Sequence, residues 1–478
     1  MNVKITVPEK LRTIIHSRFF IGLLSFIIAF SAFLILMYNG CFDGLMGEIK
    51  YNLNMVSLFI ICAAMFLSMI YFAVKNAESA DAVQLLFLAA VCAILVYIRM
   101  RMFDNLSRDY MIYLKPWLAQ LSVMTLKDFL SIPVGNYNLI YMYFLYAISK
   151  IPVNSVYLVK GLSCLFDVLT AYYAMKLVSL KKSKINLKLI TYFTVLALPT
   201  VILNSAYWGQ CDSIYTAFAL AGLYYALIKR PSLSAVMFGL SLAFKFQAVL
   251  ALPVLIILLF KRRLQLIHLA ELAGIYIVTL LPALFAGRSV HDTFFIYFSQ
   301  VQSQSDLTYN AATFYTLMGN ASYYIFNSVG IAAAALVALT SLYEAYRNAA
   351  KLKNGTIIDF LFAFSLFLPY FLPSMHDRYF YIADICAIIY FVYHNRRWYF
   401  PAVLFLCSFN DYSYYLFGGY FIDEHLSAII RGVIILLVIK DYFTEKGLLP
   451  EKYMPSSKAE GHSGDELNFP VIQLKKDD

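Results

Sequence analysis

The apolar residues of this chain fall in long blocks separated by short polar or basic segments. Phe19–Tyr38, Met55–Val74, Ala82–Ile98 and Val156–Val178 are each close to the ~20 residues a helix needs to cross a bilayer. Apolar residues make up 61% of the 478, and charged residues only 14%, more apolar surface than a soluble domain of this length can use. The fold class that follows is all-α, a polytopic transmembrane helical bundle. The net charge of +10 does not point to nucleic acid, because the basic residues sit in short loops between apolar blocks, as the positive-inside rule expects. Seven scattered cysteines form no C-x-x-C pair. They read as small core residues such as Cys62, Cys92, Cys164 and Cys386, with no disulfide framework and no zinc site.

Basic loops orient the spans. Lys4, Lys10, Arg12 and Arg18 place residues 1–18 in the cytoplasm, and the first apolar run lacks a cleavage site, so it reads as an uncleaved span. After three crossings, Arg99 opens a large outer loop, 99–154. Within it, Tyr137–Ile148 suits either an interfacial helix or a short, partly buried span. Two further spans lead to Asn204 on the outside, and a third returns to Lys229-Arg230 inside. Ser234–Phe260 has basic residues at both ends and is too short for two full spans. It reads as a hairpin of two short helices with Lys245-Phe246-Gln247 at its outer tip. Leu264–Ala286 leads to a second outer loop, 287–320. Later spans emerge at Ser374–Tyr379 and near Asn410-Asp411. The count is about 14 spans with both termini cytoplasmic. The transmembrane domain is then 19–444, and the charged tail 445–478 reads as disordered.

This topology gathers the polar clusters on one face. Asn204–Tyr215 is a knot of Asn, Gln and Asp between two apolar runs, expensive unless those groups meet water, protein or a ligand. Trp208 reads as interface belt or sugar-stacking platform, and Asp212 as a helix N-cap, a functional carboxylate or both. Lys245 either reaches a phosphate or pairs with a carboxylate such as Asp212. Asp104 and Asp109 are loop carboxylates able to serve as a general base or to bind a metal. Arg99, Arg101, Arg108 and Lys115 stand outside against the charge rule, beside Tyr110, Tyr113 and Trp117. There they either contact a lipid phosphate or snorkel at the interface. His376-Asp377-Arg378-Tyr379 follows Pro373 at a span end, where Arg can grip a phosphate bidentately and His can move a proton. Lys160, Asp167, Glu271, Asp359, Asp384 and Arg431 lie inside the membrane, and several of these are expected to form internal pairs. The residues describe a phosphate-friendly cavity at the outer face and leave open an enzyme using a lipid phosphate or a transporter.

Several stretches together resemble a known family. They are Arg108-Asp109-Tyr110 with Tyr113-Leu114 and Pro116-Trp117, Gly135-Asn136-Tyr137-Asn138, and Tyr141 with Tyr143-Phe144-Leu145. Next come Tyr207-Trp208-Gly209-Gln210-Cys211-Asp212-Ser213-Ile214-Tyr215 and Lys245-Phe246-Gln247-Ala248 with Pro253 downstream. Thr308-Tyr309-Asn310-Ala311-Ala312 and Met375-His376-Asp377-Arg378-Tyr379-Phe380 complete the set. In this order, over Arg99–Asp384, they resemble the bacterial relatives of the eukaryotic GPI-anchor mannosyltransferase that adds the second mannose. Those are GT-C class integral membrane glycosyltransferases. The resemblance implies transfer of a hexose, mannose by analogy, from a polyprenyl-phosphate donor to a lipid or glycan acceptor at the outer face of the cell membrane, with inversion.

It maps the base onto Asp109, with Asp104 second. Arg378, Lys245 and His376 would stabilise the departing phosphate. Trp208, Gln210, Asp212, Gln247, Asn310, Asp377, Tyr379, Arg108 and Trp117 would complete the substrate site. The family usually carries Glu where this chain has Asp377, one methylene shorter. No ligand spacing requires a metal, and participation of a divalent ion stays open. The rival readings are a flippase or transporter of lipid-linked saccharides, against which the lack of an internal repeat counts, and a lipid-linked glycan polymerase or ligase.

Overall fold

The computed structural model describes residues 48–77, 81–181, 185–297, 305–319 and 322–445. The expected first span, Phe19–Tyr38, and the tail beyond 445 lie outside them. The chain divides into two compact units, Met1–Ile434 and Ile435–Asp478. The second is described through Glu445, as helix. All of the site residues belong to the first.

The regular elements among the described residues are helices but for one pair of two-residue strands. Helix α1 (Glu48–Asn76) packs on α2 (Ala82–Met100). Asp81 starts α2 with a capping box: its carboxylate accepts from the Gln84 amide at 2.7 Å. The long loop that follows is itself helical. It holds a π-helical turn (Tyr110–Leu114) and then α3 (Lys115–Val123), α4 (Leu126–Ser131) and α5 (Leu139–Ser149). Helix α5 buries Tyr141, Met142 and Leu145 against neighbouring helices.

Next comes α6 (Ser155–Val178), packed on α1, on α7 (Ile185–Ala197) and on α9 (Asp212–Leu227). Between α7 and α9 the chain bends by 49° at α8 (Pro199–Ile202), which runs on as a π-helical turn, Leu203–Trp208. Pro199 explains the break, since proline has no amide hydrogen and clashes with the preceding turn. The stretch from Pro231 to Phe260 is two short helices, α10 (Pro231–Phe244) and α11 (Pro253–Phe260). Each begins on a proline whose missing amide costs nothing there. The rest is α12 (Leu266–Phe285), α13 (Val290–Phe294), α14 (Tyr323–Arg347), α15 (Asn354–Phe371), α16 (Tyr381–His394), α17 (Tyr399–Phe417) and α18 (Glu424–Glu445).

By length and composition, six described helices could cross a membrane, or seven if the bent α7–α8 pair is one span. Helix α14 exposes Tyr324, Ile325, Val329, Leu336 and Leu339, a face suited to lipid.

Several expectations change here. Asn410 and Asp411 do not end their helix. They lie inside α17, 1% and 0% exposed, because Asp411 pairs with Arg431 of α18 at 2.6 Å. Arg99 is not a headgroup contact. It is fully buried, and its guanidinium donates to Asp167 at 3.1 Å and to the Leu196 carbonyl at 2.8 Å. Asp167 also accepts from Ser205 at 2.6 Å. The expected internal pairing of Asp167, Asp359 and Arg431 is found, with His394 the partner of Asp359.

Removing one member of a buried pair strands the other charge, at a cost of about 3–5 kcal/mol. Arg99→Leu should therefore lower Tm sharply. Arg99→Leu with Asp167→Leu should recover much of the loss, and thermal denaturation of the three proteins checks it.

Candidate active site

The polar knot is built by the backbone. The π-helical turn Leu203–Trp208 ends on Gly209 at φ +81°, a left-handed conformation costly for a side-chain-bearing residue. That turn reverses the chain into α9 and brings Asn204 beside Asp212: the Asn204 side-chain amide donates to the Asp212 carboxylate at 2.8 Å. Asp212 opens α9 but makes no cap, so the N-cap reading is corrected. Its other oxygen takes a 2.6 Å bond from the Lys245 ammonium.

Lys245 in turn is 4% exposed at the break between α10 and α11, so it is no exposed tip. Of the two roles open to it, the structure supplies the carboxylate pair. Gln247 is also buried, within hydrogen-bonding reach of Tyr379.

The first loop docks on this knot. The buried Lys160 ammonium donates to the carbonyls of Met102, Phe103 and Asn105 at 2.6–3.0 Å. The Asn105 side chain donates to the Tyr207 carbonyl, and Ser107 to that of Trp208. These bonds deliver Asp109 to the site. Its Oδ2 accepts from Trp208 Nε1 at 2.9 Å and Gln210 Nε2 at 2.6 Å, and its Oδ1 from the Tyr415 hydroxyl. Trp208 is 1% exposed, stacked on Tyr415 and edge-on to Tyr412. It is a wall that holds the carboxylate, and neither belt nor open sugar platform.

The third contribution comes from the link between α15 and α16. Arg378 lies among three carboxylates: Asp109 at 3.6 Å, Asp212 at 3.7 Å and Asp377 at 3.8 Å. Its side chain keeps 15% exposure and that of Asp109 17%, whereas Asp212 and Lys245 are closed off. Burial works against the charged form of Arg378, but Asp109 and Asp212 hold it well above its ordinary range. Buried Arg378 Nε and Asp377 Oδ1 have no hydrogen-bond partner. Strands β1 (Thr308–Tyr309) and β2 (Met375–His376) pair in parallel, and the Asp377 amide donates to the Tyr309 carbonyl at 3.0 Å. Tyr309 stacks on His376, ring centroids 4.6 Å apart, while Asn310, at φ +58°, bridges to His376.

Burial, then the Arg378 charge, push the His376 imidazole down from 6.5 to about 3. Because its folded value is the lower one, the unfolded chain takes the extra proton between pH 6.5 and about 3, and stability falls as pH drops through that window. His376→Asn should remove this contribution and flatten Tm against pH there. Burial pushes the Asp377 carboxyl up to about 8, against the pull of Arg378. Its contribution has the opposite sign, present below pH 3.8 and lost as pH rises towards 8.

Trp208, Gln210, Asp212, Lys245, Gln247, Asn310, His376, Asp377, Arg378 and Tyr379 thus converge with Asp109. Asp104 does not: it is exposed and accepts from Tyr157 at 2.6 Å. Arg108 is exposed, and none of the site's bonds uses it. Trp117 stands one ring away, its edge on Tyr137, whose hydroxyl reaches Gln210 at 3.4 Å. Trp117 is fixed there by Gly135, at φ +65°, where a Cβ would come within 2.9 Å of the indole. Among the described residues, no three His, Cys, Asp or Glu side chains are placed to hold a metal ion.

Residues 137–369 match the family model of glycosyltransferase family 87. The match indicates a membrane glycosyltransferase, and so an enzyme. No curated protein matches the chain. The matched segment carries Gln210, Asp212, Lys245, Gln247 and Asn310 of this cluster, whereas Asp109, His376, Asp377 and Arg378 fall outside it and join through the fold.

Sequence reading gave Asn204 and Tyr309 no role of their own and missed Tyr412 and Tyr415. The signal for the last two was a polar stripe in an apolar helix. Ser408, Asp411, Tyr412 and Tyr415 stand at i, i+3, i+4 and i+7 on α17, which is one helical face.

Proposed function

We propose that this glycosyltransferase transfers a hexose, mannose by resemblance to the GPI-anchor second mannosyltransferase, from a polyprenyl-phosphate donor to a lipid or glycan acceptor. The observation that carries the reading is Arg378 facing Asp109: a part-exposed cation 3.6 Å from a part-exposed carboxylate, both braced by buried groups. Asp109 takes the proton of the acceptor hydroxyl while that oxygen attacks the anomeric carbon. The bond from that carbon to the phosphate oxygen breaks, and its electron pair leaves with the polyprenyl phosphate. Arg378 meets the charge that develops there. A single displacement inverts the anomeric centre.

Lys245 and Asp212, both closed off, brace Arg378 and the knot. His376 and Asn310 line the donor side, and Gln247, Asp377 and Tyr379 support them. Arg108 and Trp117 lie on the path by which lipid reaches the site. In this reading the chain is a GT-C-type bundle of about 14 spans in the cell membrane, with its site outside and its termini in the cytoplasm. The domain would run from 19 to 444, and the chemistry described needs no metal cofactor.

Membranes containing the protein, given radiolabelled polyprenyl-phospho-hexoses or the matching nucleotide sugars, test the donor class. Label should pass to a product only from the lipid phosphates; transfer from the nucleotide sugar alone would overturn the reading.

A further inference from the structure

The carboxylate assigned here as base is not held evenly. Oδ2 of Asp109 takes two side-chain bonds, from Trp208 and Gln210, and faces Arg378. Oδ1 takes one, from the Tyr415 hydroxyl. A carboxylate oxygen has two lone-pair sites, so Oδ1 keeps one open. Tyr415 is itself fixed by its ring, stacked on Trp208 at 4.9 Å and 17°.

The helix behind it is pinned along the same stripe. Tyr412 accepts from Asn204 at 3.4 Å. Asp411 accepts from the Ala312 amide at 3.2 Å, while its partner Arg431 donates to the Ala312 carbonyl at 2.9 Å. Ser408 donates to Asp384 at 2.9 Å and accepts from Arg431 at 3.1 Å. One face of α17 therefore ties the first loop, the knot and the Thr308–Ala312 loop together. It lies outside the segment that matches the family model.

We propose that Tyr415 is a positioning residue. Its hydroxyl orients Asp109 so that the open lone pair of Oδ1 receives the proton of the acceptor, and α17 carries this support as a rigid strut. The inference rests on Asp109 being the base.

Tyr415→Phe keeps the ring and its stack and removes only the hydroxyl. It should lower kcat by about 10- to 100-fold, the loss of one bond to a charged group, while KM for the donor stays within about two-fold. Tyr415→Leu, which also loses the stack, should lower Tm as well. Asp109→Asn in the same assay separates the failures. If it is inactive and Tyr415→Phe turns over within about two-fold of the unaltered protein, this inference is wrong and the functional reading stands. A parallel fall in kcat and rise in donor KM would make Tyr415 a substrate-binding residue, which also overturns the inference. If Asp109→Asn is fully active, the functional reading fails and this inference fails with it. Losses for Tyr415→Phe, Asp109→Asn and the double variant should fall short of additive, because both single changes disturb one bond. Additive losses would contradict it.

Discussion

Asp109→Asn is expected to lower turnover by about 10²- to 10⁴-fold, the usual contribution of a general base. The fold should tolerate the change. Asparagine can turn its carbonyl oxygen to Trp208, Gln210 and Arg378, and its amide nitrogen to the Tyr415 oxygen, which accepts as readily as it donates. The donor KM should move little, because Asp109 acts on the acceptor hydroxyl. Asp104→Asn is the matched comparison. Asp104 is exposed, bonded to Tyr157 and outside the cluster, so its removal should leave turnover within about two-fold of the unaltered protein. Steady-state transfer rates on proteins of matched Tm check both. Reversed effects would move the base to Asp104.

Arg378→Met should lower kcat/KM for the lipid-phosphate donor by about 10²- to 10³-fold, as loss of one transition-state charge donor does. It should also lower Tm. Without the guanidinium, Asp109 loses its charge partner, and Asp212 is left with Lys245 and Asn204. Arg378→Lys should recover part of the stability but little of the rate, because a point charge cannot reproduce the planar fork that spans three carboxylates. Rates and Tm measured on both variants separate the electrostatic brace from the contact with phosphate.

Composition and block length made the helical class legible, and the order of polar motifs named most of the site. The knot from Asn204 to Asp212 was read as improbable in lipid, and it is where Asp109, Lys245 and Arg378 meet. What stayed hidden were long-range partners. Arg99 looked like a headgroup residue because charge and position cannot show that Asp167, 68 residues later, packs against it. Trp208 looked like a platform because sequence does not reveal that Tyr415 covers its ring. Asp411 looked like the end of a span because its partner Arg431 lies in the next helix. Tyr415 itself lies 306 residues beyond Asp109, and only its spacing from Ser408, Asp411 and Tyr412 marked it.

The most direct test of the account uses the purified protein in liposomes, with a labelled polyprenyl-phospho-hexose and an acceptor on the same side. The account predicts that free polyprenyl phosphate accumulates in step with a glycosylated product of inverted anomeric configuration, and that Asp109→Asn slows both by the same factor, about 10²- to 10⁴-fold. A donor that crosses the bilayer intact, with no polyprenyl phosphate released, would contradict it.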